Sequence, residues 1–113
     1  MQLSTLNQSS NLNLVLNYFK TNLKTIYQDN FVKLILFGSQ ARGDAKPDSD
    51  IDVLVVLKNT SNFEQKRQQV IKLISDLCLE HQILISCVYV NEYQFSYEKS
   101  PLLINIRREG ILI

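Results

Sequence analysis

Apolar positions change their period along this chain, and each change marks an element. Leu12, Val15, Leu16, Phe19, Leu23, Ile26 and Tyr27 recur at three- and four-residue spacing. This predicts an amphipathic helix from a Ser10 cap to about Gln28. Residues 1–9 before it are polar and read as a flexible leader. Phe31 to Phe37 (FVKLILF) is nearly all apolar, the pattern of a strand buried on both faces. Gly38 ends it, Ser39 to Gly43 suits a helical turn, and Asp44 to Ser49 is a polar loop. Ile51 to Leu57 (IDVLVVL) is a second strand. A helix capped by Thr60 or Ser61 follows to about His81, with Phe63, Val70, Ile71, Ile74, Leu77 and Cys78 inward. Ile83 to Val90 (ILISCVYV) is a third strand. Pro101 then opens a last helix, PLLINIRRE, with Gly110 as its stop. The order helix, strand, turn, strand, helix, strand, helix predicts an α/β (α+β) domain, a small mixed sheet with helices packed on it.

Length and composition narrow the reading. The 113 residues suit one domain and one core, and 45% of them are hydrophobic, which excludes a disordered chain. The net charge of +1 argues against a dedicated nucleic-acid binder. The start lacks both the basic residues and the apolar run of a secretory signal, and no stretch is long enough to span a membrane, so a cytoplasmic location is expected. Cys78 and Cys87 then read as free thiols. His81, the sole histidine, has no partner at zinc or triad spacing and reads as a helix-end residue.

The chemistry concentrates in Gly38 to Asp52, GSQARGDAKPDSDID. Asp44, Asp48, Asp50 and Asp52 crowd into nine residues, which costs energy unless a positive charge is shared among them. Asp50 and Asp52 lie two apart at a strand start, where side chains share one face. Two carboxylates so placed can grip a hard cation or bracket two. Gly38 lets a phosphate approach the backbone, and Ser39 adds a hydroxyl at the start of a helical turn whose amides face an anion. The combination describes a site for a metal-bound nucleoside triphosphate.

Gly38-Ser39, ten residues, then Asp50-Ile51-Asp52 resembles the signature of the polymerase-beta-like nucleotidyltransferase superfamily. The longer string FGSQARGDAKPDSDIDVLVVL is similar to its minimal nucleotidyltransferase (MNT) branch, and PLLINIRREGI resembles the closing segment of those domains. The resemblance implies the polymerase-beta-like fold over a single domain, residues 1–113. It implies that Ser39 and the amides after Gly38 hold the β- and γ-phosphates, and that Asp50 and Asp52 bind Mg²⁺ with the triphosphate. Arg42 either reaches a phosphate or braces the acidic loop. The implied reaction transfers a nucleoside monophosphate, with ATP as the expected donor, to a hydroxyl.

The family supplies a third carboxylate from a later strand. The matching position here is Ser86, and Glu80 and Glu92, bracketing that strand, are the candidate substitutes. Both also read as solvated ends of elements. MNT antitoxins pair with HEPN toxins and adenylylate a toxin tyrosine, so a HEPN-type toxin is the implied partner, with self-association the other source of an acceptor surface. A weakly active or inactive binding module and an aminoglycoside-type small-molecule transferase are the alternatives.

Other motifs fail on their own chemistry. Gly38 to Gly43 fits half of a P-loop, but Asp44 and Ala45 replace its Lys and Ser/Thr. Asp48, Asp50 and Asp52 mimic a calcium loop, but Val53 replaces its glycine and Asn59 its final glutamate. Tyr89, Tyr93, Phe95 and Tyr97 read as a packing cluster, and Arg107 and Arg108 as a solvated helix face.

Overall fold

Four strands order as β3-β2-β1-β4 in the computed structural model, which describes residues 2–46, 50–61 and 63–113. The elements run α1 (Gln2–Tyr27), β1 (Phe31–Phe37), α2 (Ser39–Arg42), β2 (Ile51–Leu57), α3 (Phe63–His81), β3 (Ile85–Asn91), α4 (Glu92–Tyr97), α5 (Pro101–Glu109) and β4 (Ile111–Leu112). β1 pairs antiparallel with both β2 and β4, while β2 and β3 are parallel. The parallel pair needs a crossover, and α3 supplies it.

Each apolar β2 residue faces one of two cores. Ile51, Val53, Val55 and Leu57 meet Val15, Leu16, Phe19, Leu23 and Tyr27 of α1 and Val70 and Leu77 of α3. Leu54 and Val56 turn the other way, onto Ile35, Val90 and Leu103 and Ile106 of α5. Val53 to Leu57 are completely buried, as a strand covered on both faces must be. Asp52 belongs by alternation to the α5 side, which sets which face of the sheet carries the chemistry.

Several expectations needed correction. α1 begins at Gln2, so the expected leader is helical and Ser10 lies inside the helix. The segment holds no Gly or Pro, and extending an existing helix costs far less than starting one. α3 is described from Phe63, and the residue between it and Ser61 lies outside the described residues. Ile71 is 43% exposed, because it lies 100° around the helix from buried Val70. β3 starts two residues later than expected. Gln82 adopts a left-handed φ of 55°, and the Ile83 amide donates to the Cys78 carbonyl at 3.2 Å, a Schellman ending that uses up the start of the apolar run. Gly110 closes α5 at φ −66°, so this glycine is not needed for a left-handed turn. Pro47, Asp48 and Ser49 of the expected loop lie outside the described residues, as does the side chain of Phe63.

The aromatic cluster divides. Tyr89 packs edge-on against Tyr27 at 6.3 Å, and Lys33 sits 4.3 Å from the centre of the Phe95 ring. Tyr93 and Tyr97 are exposed. Arg107 is a clamp, donating to the carbonyls of Phe95 and Glu98 at 2.6 and 2.7 Å and tying α4 to α5. Both cysteines are free thiols, and burial pushes Cys87 up to about 12.

Candidate active site

The chain leaves β1 through Gly38, whose φ of 75° and ψ of −155° belong to a region that only glycine enters readily. One turn of helix follows. The amides of Ala41 and Arg42 both donate to the Gly38 carbonyl at 3.1 Å. Gly43, left-handed at φ 82°, ends the turn, and its amide donates to the Ser39 carbonyl at 3.0 Å. Ser39 therefore stands at the N-terminal end of α2, where backbone N–H groups precede the first intrahelical bonds.

Asp52 lies across from this turn. It pairs with Phe37 on β1 and with Ser86 on β3. A Cβ built on Gly38 would come within 2.5 Å of Asp52 Oδ2. Glycine is thus required twice, by its dihedral angles and by the carboxylate lying against its α-carbon. Burial is the largest influence on Asp52 and raises its pKa above the ordinary value. The negative charge of Asp50 raises it further, and the Arg42 guanidinium draws it partly back. Asp50, exposed and just before β2, and Arg42 thus both lie within electrostatic reach of Asp52 at one end of the sheet. Arg42 has its Nε 3.3 Å from Asp44 Oδ2 and its Nη1 3.9 Å from Glu109 Oε2. Nothing in local spacing pointed to Glu109, which is 67 positions from Arg42.

Ser86 is where the sequence reading put it, next to Asp52 on the same face. Neither proposed substitute reaches Asp52. Glu80 lies with Leu14, Tyr18 and Leu77 on the α1–α3 side of the sheet, opposite Asp52. Glu92 opens α4 beyond the far end of β3, about 20 Å along the strand from Ser86. Among the described residues no three His, Cys, Asp or Glu side chains converge into a metal cage.

The donor set present still fits Mg²⁺ arriving with a nucleotide. That ion is bound through one or two carboxylates, with phosphate oxygens and water filling the other positions. Asp50 and Asp52 are hard oxygen donors, and the gap left by the missing Gly38 Cβ lets the Asp52 carboxylate lie against the Gly38 turn. A cavity of about 230 Å³, lined by Leu12, Val15, Gln40, Lys46, Ile51 and His81 among others, borders the turn from the α1 side of the sheet.

The profile of a family described as "Nucleotidyltransferase domain" matches residues 16–112. The chain belongs to the nucleotidyltransferase family. Two Methanocaldococcus jannaschii chains, each named "Putative protein adenylyltransferase", are similar to it. One is 42% identical over 72 residues, covering 64% of this chain and 72% of its own length. The other is 33% identical over 97 residues, covering 84% and 66%. In fold, this nucleotidyltransferase resembles the crystal structure of a "putative nucleotidyltransferase" from Sulfolobus solfataricus, with a TM-score of 0.64 and 19% identity over 96% of this chain and 85% of that one. It also resembles a toxin–antitoxin complex crystallised with AMP-PNP, at TM-score 0.55 and 20% identity, covering 84% of this chain and 69% of that one. These likenesses bear out the expected nucleotidyltransferase fold. Among the described residues no helix is long and apolar enough to cross a membrane.

Proposed function

We propose that this nucleotidyltransferase moves AMP from ATP to a hydroxyl on a protein, with Mg²⁺ at Asp50 and Asp52, and that the acceptor is a tyrosine of a HEPN-type toxin, which it thereby silences as an antitoxin. The observation that carries the reading is the Asp52 carboxylate packed against Gly38 within reach of the Asp50 charge. The names of the Methanocaldococcus relatives support a protein as acceptor, and the toxin–antitoxin likeness supports a partner of that class.

In this reading the backbone after Gly38 and the Ser39 hydroxyl orient the β- and γ-phosphates. Arg42 adds a charged donor at the edge of the turn. Asp50 and Asp52 hold Mg²⁺, which when bound neutralises charge on the phosphates. The acceptor oxygen forms a bond to the α-phosphorus, the bond from that phosphorus to the bridging oxygen breaks, pyrophosphate leaves, and the acceptor proton passes to solvent. The chain contributes positioning and electrostatics and forms no covalent bond to the nucleotide.

Incubation with ATP labelled on its α-phosphate, Mg²⁺ and a HEPN-type chain encoded beside this one tests the reading. Label is expected on a toxin tyrosine, and none with the Asp50→Ala, Asp52→Ala double variant. Transfer that persists in the double variant overturns the metal assignment. A second reading, a binding module that neutralises its partner by complex formation, is favoured by Ser86 standing where a third carboxylate would complete the site. It predicts partner binding unaffected by the double alanine change, with no label transferred.

A further inference from the structure

We propose that Glu109 is a positioning residue of the nucleotide site, holding the Arg42 guanidinium at the edge of the Gly38 turn where the triphosphate would lie. This rests on the function proposed above.

The placement follows from the end of the chain. β4 runs antiparallel to β1, with Leu36 opposite Ile111 and Ile35 opposite Leu112. Each step forward along β1 is then a step back along the tail, so Phe37 and Gly38 stand level with Gly110 and Glu109. Gly110 permits that closeness. A Cβ there would fall 2.6 Å from both Ile35 Cγ2 and the Ile106 carbonyl oxygen. The turn that carries phosphate-facing groups is thus flanked by Asp52 from β2 on one side and by Glu109 from the tail on the other.

Glu109 uses both oxygens. Oε2 lies 3.9 Å from Arg42 Nη1, and Oε1 lies 3.5 Å from Arg108 Nη2. Asp44 holds the other side of Arg42 through Nε. A guanidinium carries five N–H donors; Nε donates to Asp44, and the Glu109 pairing at 3.9 Å is a charge contact longer than a hydrogen bond, so the Nη donors remain for a phosphate. Glu109 and Arg42 are 36% and 46% exposed at their side chains, and such a pair contributes little to stability. Its consequence is geometric. It selects one orientation of a long side chain before nucleotide arrives, which removes an ordering cost from binding.

Titration with Mg²⁺ and the non-hydrolysable analogue AMP-PNP tests this in wild type, Glu109→Gln, Arg42→Gln and the double variant. Glu109→Gln is expected to weaken binding about threefold, to raise the KM for ATP by a similar factor and to leave kcat unchanged. Arg42→Gln is expected to weaken binding about tenfold, and the double variant no further. Glu109→Asp, which keeps the charge on a shorter stem, should fall between wild type and Glu109→Gln, and it stands in if the Gln variant folds poorly. Wild-type affinity in both Glu109 variants overturns the inference alone. So does a Glu109→Gln loss that persists in full on the Arg42→Gln background, since that marks a structural role. Failure of the wild type to bind AMP-PNP overturns the proposed function along with it.

Discussion

Ser86 stands directly beside Asp52 in the parallel pairing of β2 and β3, with both side chains on the α5 face of the sheet. A carboxylate at position 86 would join Asp50 and Asp52 without any change of register. Ser86→Asp is therefore expected to raise the rate of AMP transfer by about tenfold at limiting Mg²⁺, the lower end of what a positioned base supplies. The measurement is initial rate against Mg²⁺ concentration. An unchanged rate would mean that the third carboxylate is dispensable for this chain.

Gly38 and Gly43 both have positive φ, but for different reasons. Gly38 lies against Asp52 Oδ2, while a Cβ on Gly43 meets nothing within 4 Å. Gly38→Ala is expected to cost about 1–3 kcal/mol of stability and to abolish nucleotide binding, since Asp52 must move. Gly43→Ala is expected to cost about 1 kcal/mol and to bind nucleotide normally. Chemical denaturation and AMP-PNP titration on the same samples separate the two.

Burial and the Asp50 charge raise the Asp52 pKa, so the folded chain binds a proton at this group more tightly than the unfolded chain does. A carboxyl raised on folding favours the fold at pH values below its unfolded pKa, and that contribution is lost as pH rises through the folded value. Metal-free Asp52→Asn is therefore expected to melt at a higher temperature than wild type at pH 7, with the gap closing as the pH falls to the ordinary carboxylate value of 3.8. Adding Mg²⁺ and AMP-PNP should reverse the order, because only wild type gains stability from the bound complex. Thermal melts across pH, with and without ligand, test the sign.

Gly110 is needed for space, since its φ is ordinary and its missing Cβ would strike Ile35 and the Ile106 carbonyl. Gly110→Ala is expected to lose about 1–3 kcal/mol through overpacking. By pushing β4 from β1 it should also weaken AMP-PNP binding. Unchanged denaturation midpoints would show that the tail yields easily.

β1, β2 and β3 were readable because their residues state their surroundings, whereas β4, two exposed residues after Gly110, was not expected. A run such as VLVVL in β2 has no polar position, so both its faces must be covered, and they are. The turn after Gly38 and the strand beginning at Ile51 were readable because both are local features of the sequence. Ile71 was misjudged because apolar character on a helix does not say how wide the buried stripe is. The α1 start was misjudged because polar residues without Gly or Pro permit a helix as readily as a coil.

What the sequence determined by itself was therefore local: the periods, the turn at Gly38 and the serine beside Asp52. Tertiary structure decided what lies across space. It put Glu80 behind the sheet, Glu92 at the wrong end of β3 and Glu109 next to the Gly38 turn. Those outcomes depend on strand order and pairing register, which arise from contacts between residues far apart in the chain, and no local pattern records them.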